Sequence, residues 1–168
     1  QAVDELTAAS LAAKASLRVT ENKASSFLVL TEKGLREAKK RGLKSNGFFV
    51  TEGSSPEHQL IQFAVARVEQ NADKKVEREK LLSNGGRVDV VAKKGAVMEA
   101  FEVELSATQA VENIEKCLQS GLFEVVHVVA ETGTLEGLEK RFTDTPRVRF
   151  SPIAPWLAKI REIEEAES

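Results

Sequence analysis

Only one cysteine, Cys117, occurs in the 168 residues, so the chain cannot form an internal disulfide. It also cannot be a disulfide-stapled mini-protein, and a reducing, cytoplasmic setting is expected. No apolar run approaches the roughly 20 residues of a membrane span, which implies no membrane partner. The opening QAVDELTAAS lacks the basic start and apolar stretch of a secretory signal. It also lacks an initiator Met, which fits a piece of a longer chain. There is no internal repeat, no low-complexity tract and no glycine-rich phosphate loop, so an ATPase activity would belong to another domain or chain. Neither His58 nor His127 sits in a zinc-like spacing or a nucleophilic constellation. His127, inside Val125–Val129, reads as a core histidine, and His58 as a residue near a helix start that could neighbour a site. Cys117 reads as an inert member of a buried helix stripe.

The composition, 42% hydrophobic and 30% charged with a net charge of -2, is that of an ordinary soluble globular protein. That near-neutral total conceals a gradient. Residues 1–50 carry nine basic and five acidic groups, residues 51–130 nine and thirteen, and residues 131–168 six and eight. Lys33, Arg36, Lys39, Lys40, Arg41 and Lys44 concentrate the positive charge. A basic cluster of this kind can track phosphates, and clustered carboxylates can hold divalent cations; the competing reading is a solvated helix face.

The pattern predicts an Ala-rich helix over 3–18, a short strand at Phe27–Leu30, and a helix opened by Thr31 with Leu35, Ala38 and Leu43 on its buried side. Gly47 and Gly53-Ser54-Ser55-Pro56 punctuate the chain, dividing a helical segment, 1–50, from an α/β domain, 51–168. From Glu57 the apolar spacing Leu60, Ile61, Ala64, Val65, Val68 predicts a helix with Pro56 at its first position. Strands are expected near 74–79, 87–92 and 97–105. A helix then opens at the capping-box sequence Ser106-Ala107-Thr108-Gln109, followed by an apolar strand at 123–130. A helix near 133–141, a strand near 147–150 and a helix from about 152 complete the chain. The order from Glu57 is α-β-β-β-α-β, which implies a mixed central sheet with flanking helices.

Carboxylates stand out within these strands. Side chains alternate along a strand, so Glu102 and Glu104 share a face about 7 Å apart, from a rise of ~3.3 Å per residue. Asp89 sits among Val88, Val90 and Val91, a costly place for a carboxylate unless it is paired, hydrogen-bonded or metal-bound. The three could converge on hard divalent cations; otherwise they are solvated groups on an exposed strand face.

The runs RVDVVAKKGAVMEAFEVELS (87–106), NIEK (113–116) and FEVVHVVA (123–130) resemble the PD-(D/E)xK nuclease-like superfamily. More narrowly, they resemble its domains found beside DNA-translocating ATPases and in mobile-element proteins. The resemblance spans about residues 56–130. It implies a restriction-endonuclease-like α-β-β-β-α-β core whose second-strand acid and third-strand (D/E)-x-K motif bind Mg²⁺ (or Mn²⁺) and hydrolyse DNA phosphodiesters. On it, Asp89 and Glu102 are the metal-binding acids, and Glu104 stands where the family has lysine. A few restriction endonucleases similarly carry Glu there.

Lys116 is a candidate migrated lysine; with Gln109 and Asn113 it falls at i, i+4 and i+7 on the following helix. A further family acid on the first helix corresponds to Glu57, whose alternative role is to favour the helix dipole. Gln62 is a weaker candidate, and Glu77 and Glu79 are ambiguous. The segment FLVLTEKGLREA (27–38) resembles the end of winged-helix domains, with a helical brace as the alternative. If it is a winged helix, Lys39, Lys40 and Arg41 would contact phosphate. Lys93 and Lys94, with Gln109 and Asn113, complete the expected DNA contacts. The expectation is a Mg²⁺- or Mn²⁺-dependent DNA endonuclease partnering DNA and a translocating ATPase. The alternatives are a catalytically inactive DNA-binding or protein-interaction module, and a winged-helix regulator whose α/β portion binds a partner.

Overall fold

A computed structural model describes residues 2–20 and 23–167. The chain opens with helix α1 (Ala2–Ala8) and then an antiparallel hairpin, β1 (Ala12–Thr20) and β2 (Lys23–Leu30). The predicted helix over 3–18 therefore ends ten residues early. Alanine content suggested a helix, but the period of two in Ala13-Lys14-Ala15-Ser16-Leu17-Arg18 decides the outcome. Ala15 and Leu17 are fully buried, while Lys14, Ser16 and Arg18 face outward. Pairing with β2 and burial of that face outweigh the helix preference of alanine.

Helix α2 (Glu32–Lys40) starts where the sequence places it. The Thr31 hydroxyl accepts from Gly34 N–H at 3.1 Å and donates to the Ser10 carbonyl at 2.6 Å, so one side chain both caps the helix and ties it to the turn after α1. Leu35 is buried and Ala38 half-buried, but Leu43 is 60% exposed, because the chain leaves the helix at Arg41 before Leu43 could join that face.

The α/β portion comprises α3 (Pro56–Asn71), β3 (Lys75–Leu81), β4 (Arg87–Lys94), β5 (Val97–Glu104), α4 (Ala107–Ser120), β6 (Val125–Ala130), α5 (Thr132–Arg141), β7 (Val148–Pro152) and α6 (Ile153–Ala166). The five strands form one mixed sheet in the order β3-β4-β5-β6-β7. The first three are antiparallel, and β5, β6 and β7 run parallel. Helices α3 and α6 cover one face, while α4 and α5 cover the other. The sequence-derived order of elements from 56 onward is thus the observed one. The capping box is not: Ser106 opens α4 without a side-chain cap.

The hairpin packs on α3 and α6, and Ala15, Leu17, Val29 and Val50 join Ile61, Val65, Phe101 and Ile153 in one buried cluster. Val50 pairs with Thr31 at the end of β2, which carries the linking segment back to the hairpin. The first fifty residues therefore brace α3 through a β-hairpin. His127 stacks on Phe101 at 4.4 Å, with its Nε2 3.3 Å from Glu99, deep in the sheet. Among the described residues no helix is long and apolar enough to cross a membrane.

The junction between α1 and α2 is tight. A Cβ at Gly34 would lie 1.8 Å from the Leu11 carbonyl oxygen, whereas one at Gly137 in α5 meets nothing within 4 Å. Gly34→Ala is therefore expected to lower unfolding free energy by about 2 kcal/mol or more through backbone displacement. Gly137→Ala should be neutral or stabilising by up to about 1 kcal/mol. Urea denaturation of the two variants measures the difference.

Candidate functional site

The site is created by a break in the sheet. β4 and β5 pair regularly from Val97 opposite Lys94 to Phe101 opposite Val90, and there the ladder stops. On the other side of β4 the register skips the position facing Asp89, where Glu79 takes a positive φ of 53°. Asp89 sits in the resulting fork. Its Oδ2 accepts the Val103 N–H at 2.8 Å, replacing the carbonyl that a continued ladder would have supplied.

Two side chains one turn apart on α3 hold the same carboxylate. Gln62 donates to Oδ1 at 2.9 Å, and His58 Nε2 lies 3.2 Å from Oδ2. Burial alone would lower the His58 pKa, but the hydrogen bond and charge of Asp89, with Glu79 and Glu104 behind it, hold it above the ordinary histidine value.

Strand β5 delivers two further acids. Glu102 is 1% exposed and Glu104 5%. The Cys117 thiol donates to Glu102 Oε1 at 3.0 Å, and the Lys116 ammonium lies 3.6 Å from the same oxygen. Burial, then the neighbouring charge of Asp89, pushes the Glu102 carboxyl up to about 8 against the opposing pull of Cys117 and Lys116. Glu104 Oε1 accepts from Asn113 at 2.8 Å; burial still raises its pKa, with the Asp89 charge adding to the effect. Burial, followed by the charge and hydrogen bond of Glu102, also raises the thiol of Cys117.

Lys116 is fixed from two sides. Its ammonium donates to Asn113 Oδ1 at 2.8 Å, and Asn84, in the β3–β4 turn, donates to its carbonyl at 3.3 Å. Gly86 in that turn leaves room for the lysine stem; a Cβ there would come within 3.0 Å of Lys116 Cδ.

These groups border an open cleft of about 440 Å³ whose walls include His58, Arg87, Asp89, Glu102, Glu104, Gln109, Asn113 and Lys116. The structure thus brings together Asp89, Glu102, Glu104, Lys116, Gln109 and Asn113. Glu57 goes elsewhere: its carboxylate accepts from Ser16 N–H at 2.9 Å and from Ser55 Oγ at 2.9 Å, so it secures the hairpin instead of lining the cleft. Those hydrogen bonds outweigh the opposing effect of partial burial and hold its pKa below the usual range.

The basic residues are also apart from the cleft. Lys39, Lys40 and Arg41 lie exposed at the end of α2, where Lys40 and Arg41 pair with Glu37. Lys93 and Lys94 occupy the opposite, fully paired end of β4, four and five residues or about 13–17 Å beyond Asp89. Glu77 forms an exposed pair with Lys80, and Glu79 binds Gln62 and Arg87.

The sequence placed His58 near the site but without a role, gave Arg87 none, and marked Cys117 as inert packing. The signal for His58 was its i, i+4 relation to Gln62, whose polar side chain is buried on the sheet-facing stripe. Among the described residues, no three His, Cys, Asp or Glu side chains already form a metal-ligating group. The acids are instead occupied by protein donors.

Folded Glu102 keeps its proton to about pH 8, whereas the unfolded residue loses it near its ordinary 4.5. Between those values the folded state binds more protons, so this residue makes stability fall as pH rises. Glu102→Gln is therefore expected to gain stability relative to the unsubstituted protein by about 2–4 kcal/mol between pH 5 and pH 8.5. Urea melts in a chelator at both pH values measure this; a difference independent of pH would contradict the buried-acid assignment.

No protein-family model matches the sequence, and no curated protein matches it.

Proposed function

We propose that the cleft hydrolyses DNA phosphodiesters with a divalent cation, in the manner of the PD-(D/E)xK superfamily, with Glu104 at the position of the motif lysine. The observation that carries the reading is the convergence of Asp89 from the second core strand, Glu102 from the third and the Lys116 ammonium from α4, 3.6 Å from Glu102, on one open cleft. That convergence answers the missing motif lysine, because a cation reaches the acids from a helix instead of from the strand.

The donor chemistry suits a hard cation: carboxylate oxygens are the preferred ligands of Mg²⁺ and Mn²⁺, and the raised Glu102 pKa marks a place short of positive charge. Asp89 and Glu102 would hold the ion, whose contribution is to polarise the phosphoryl group and lower the pKa of the attacking water. The chain's own groups do the rest. His58, Gln62 and Val103 N–H keep the Asp89 carboxylate aimed into the cleft. Glu104, steadied by Asn113, accepts a proton from the incoming water, while Lys116 offsets the charge that develops as the bond to the leaving oxygen breaks. Arg87, exposed at the cleft wall, steadies a neighbouring phosphate.

A second reading is a nuclease-like DNA-binding or protein-interaction module without catalysis. It is favoured by the absence, among the described residues, of a preassembled metal-ligating group and by the protein donors that already satisfy the acids. In either case the exposed basic end of α2, following a β-hairpin, supports a phosphate-contacting front module of winged-helix type. A translocating ATPase and a cytoplasmic location remain part of the proposal.

Supercoiled and linear DNA incubated with Mg²⁺ or Mn²⁺ tests the two readings. The unsubstituted protein is expected to cleave. Asp89→Asn and Lys116→Met should each reduce the rate by about 10²-fold or more. No cleavage with either metal on either substrate would select the non-catalytic module. Cleavage that survives Asp89→Asn would place the chemistry outside this cleft.

A further inference from the structure

Beside the carboxylate cleft lies a second cavity of about 410 Å³, and the two share Ser54 and Arg87 in their walls. Cavities of roughly 300–1,000 Å³ hold small organic groups. This one combines aromatic surface with cationic side chains. Phe48 and Phe63 stack at 4.5 Å with their planes 20° apart, and both line it together with Phe49. Phe49 is half-buried, yet it joins none of the three apolar core clusters. Among the described residues it is thus an aromatic side chain of the cavity wall outside the core clusters.

Two arginines border the same space. The guanidinium of Arg87 pairs with Glu79, which Gln62 also binds. Arg78 is exposed and, among the described residues, has no ion pair or side-chain hydrogen bond. An aromatic wall beside an uncommitted guanidinium, opening onto a phosphate-cleaving cleft, matches the needs of an unpaired nucleotide. The base stacks on aromatic carbon, and the phosphate meets the arginine. In a duplex the base is already stacked and paired, so it cannot offer its face to Phe49.

We infer that this cavity is a subsite for one unpaired base of a DNA strand entering the cleft, with Phe49 supplying the stacking surface and Arg78 the phosphate contact. The assignment rests on the nuclease reading for the identity of its ligand. It implies that the substrate is single-stranded DNA, or a strand that is frayed or flapped next to the cleavage point. Glu79, the one acid lining the cavity among the described residues, is already engaged by Arg87 and Gln62, so Arg78 is left to counter the phosphate.

The test is fluorescence-anisotropy titration of a labelled 12-nucleotide oligo-dT strand and of the matched duplex, in a chelator so that binding is read without cleavage. The unsubstituted protein should bind the single strand about tenfold or more tightly than the duplex. Phe49→Ala and Arg78→Gln should each weaken single-strand binding by about tenfold and leave duplex binding unchanged. Arg78→Gln alters an exposed side chain, so its result stands even if Phe49→Ala disturbs the fold, which a parallel thermal melt reveals. Equal affinity for the two forms, no binding to the single strand, or indifference to both substitutions overturns the subsite. A protein that cleaves DNA yet shows no single-strand preference loses the subsite and keeps the nuclease reading. One that binds the strand through Phe49 and Arg78 but cleaves nothing keeps the subsite and loses the chemistry.

Discussion

A single hydrogen bond, from the Val103 backbone N–H to the Asp89 carboxylate, organises the cleft. Where β4 and β5 part company, a buried backbone donor would be left unpaired, at a cost of about 1–3 kcal/mol. A side-chain oxygen satisfies it instead. The substitution lets the sheet open without an orphaned group, and it puts a carboxylate at the apex of the opening. The other cleft features follow from that geometry. The splayed strands leave β5 unpaired with β4 beyond Phe101, where Glu102 and Glu104 sit, make room for α4 to approach, and leave a concave surface bounded by α3.

Electrostatics then sets the character of the site. Three acids share a cleft in which two are almost wholly buried, and the surroundings compensate unevenly. Asp89 has three donors. Glu104 has an amide. Glu102 has a thiol at 3.0 Å and an ammonium at 3.6 Å, which together fail to balance burial and the Asp89 charge. Burial and the Asp89 charge thus favour the protonated form of Glu102, an arrangement found where a cleft gathers more acid than its donors balance. Lys116 owes its position to the β3–β4 turn, where Gly86 admits its stem, so a loop outside the sheet controls the charge inside the cleft.

Much of this was legible in the sequence, and for identifiable reasons. The order of elements after Pro56 followed from helical spacing in α3, from the Gly85-Gly86 and Gly95 turns, and from the nearly uninterrupted apolar run of β6. Asp89 drew attention because a charge between valines must be satisfied somehow. The i, i+4, i+7 spacing of Gln109, Asn113 and Lys116 put all three on the cleft side of α4. Other features depended on information beyond local pattern. The period of two in the Ala-rich stretch became β1 only because β2 was there to pair with it, and composition does not reveal that partner. Glu57 and His58 stand one residue, roughly 100° of rotation, apart on α3, and their directions are set by Ser55 capping at His58 N–H and by β1 offering Ser16 N–H to Glu57. The gap in the ladder at Asp89 comes from how β4 meets both neighbours, and no single strand encodes it.

The central claim is that Asp89 and Glu102 share one electrostatic environment in a common cleft. Carbon-13 NMR titration of the glutamate side-chain carboxyls, with Glu102 assigned by its loss in Glu102→Gln, tests this most directly. The Glu102 midpoint is expected at about pH 8 in a chelator. That midpoint should move down in Asp89→Asn, which removes the neighbouring charge, and down again in the unsubstituted protein when Mg²⁺ or Mn²⁺ is added. A midpoint near the ordinary 4.5, or one that ignores both Asp89→Asn and the metal, would contradict that claim.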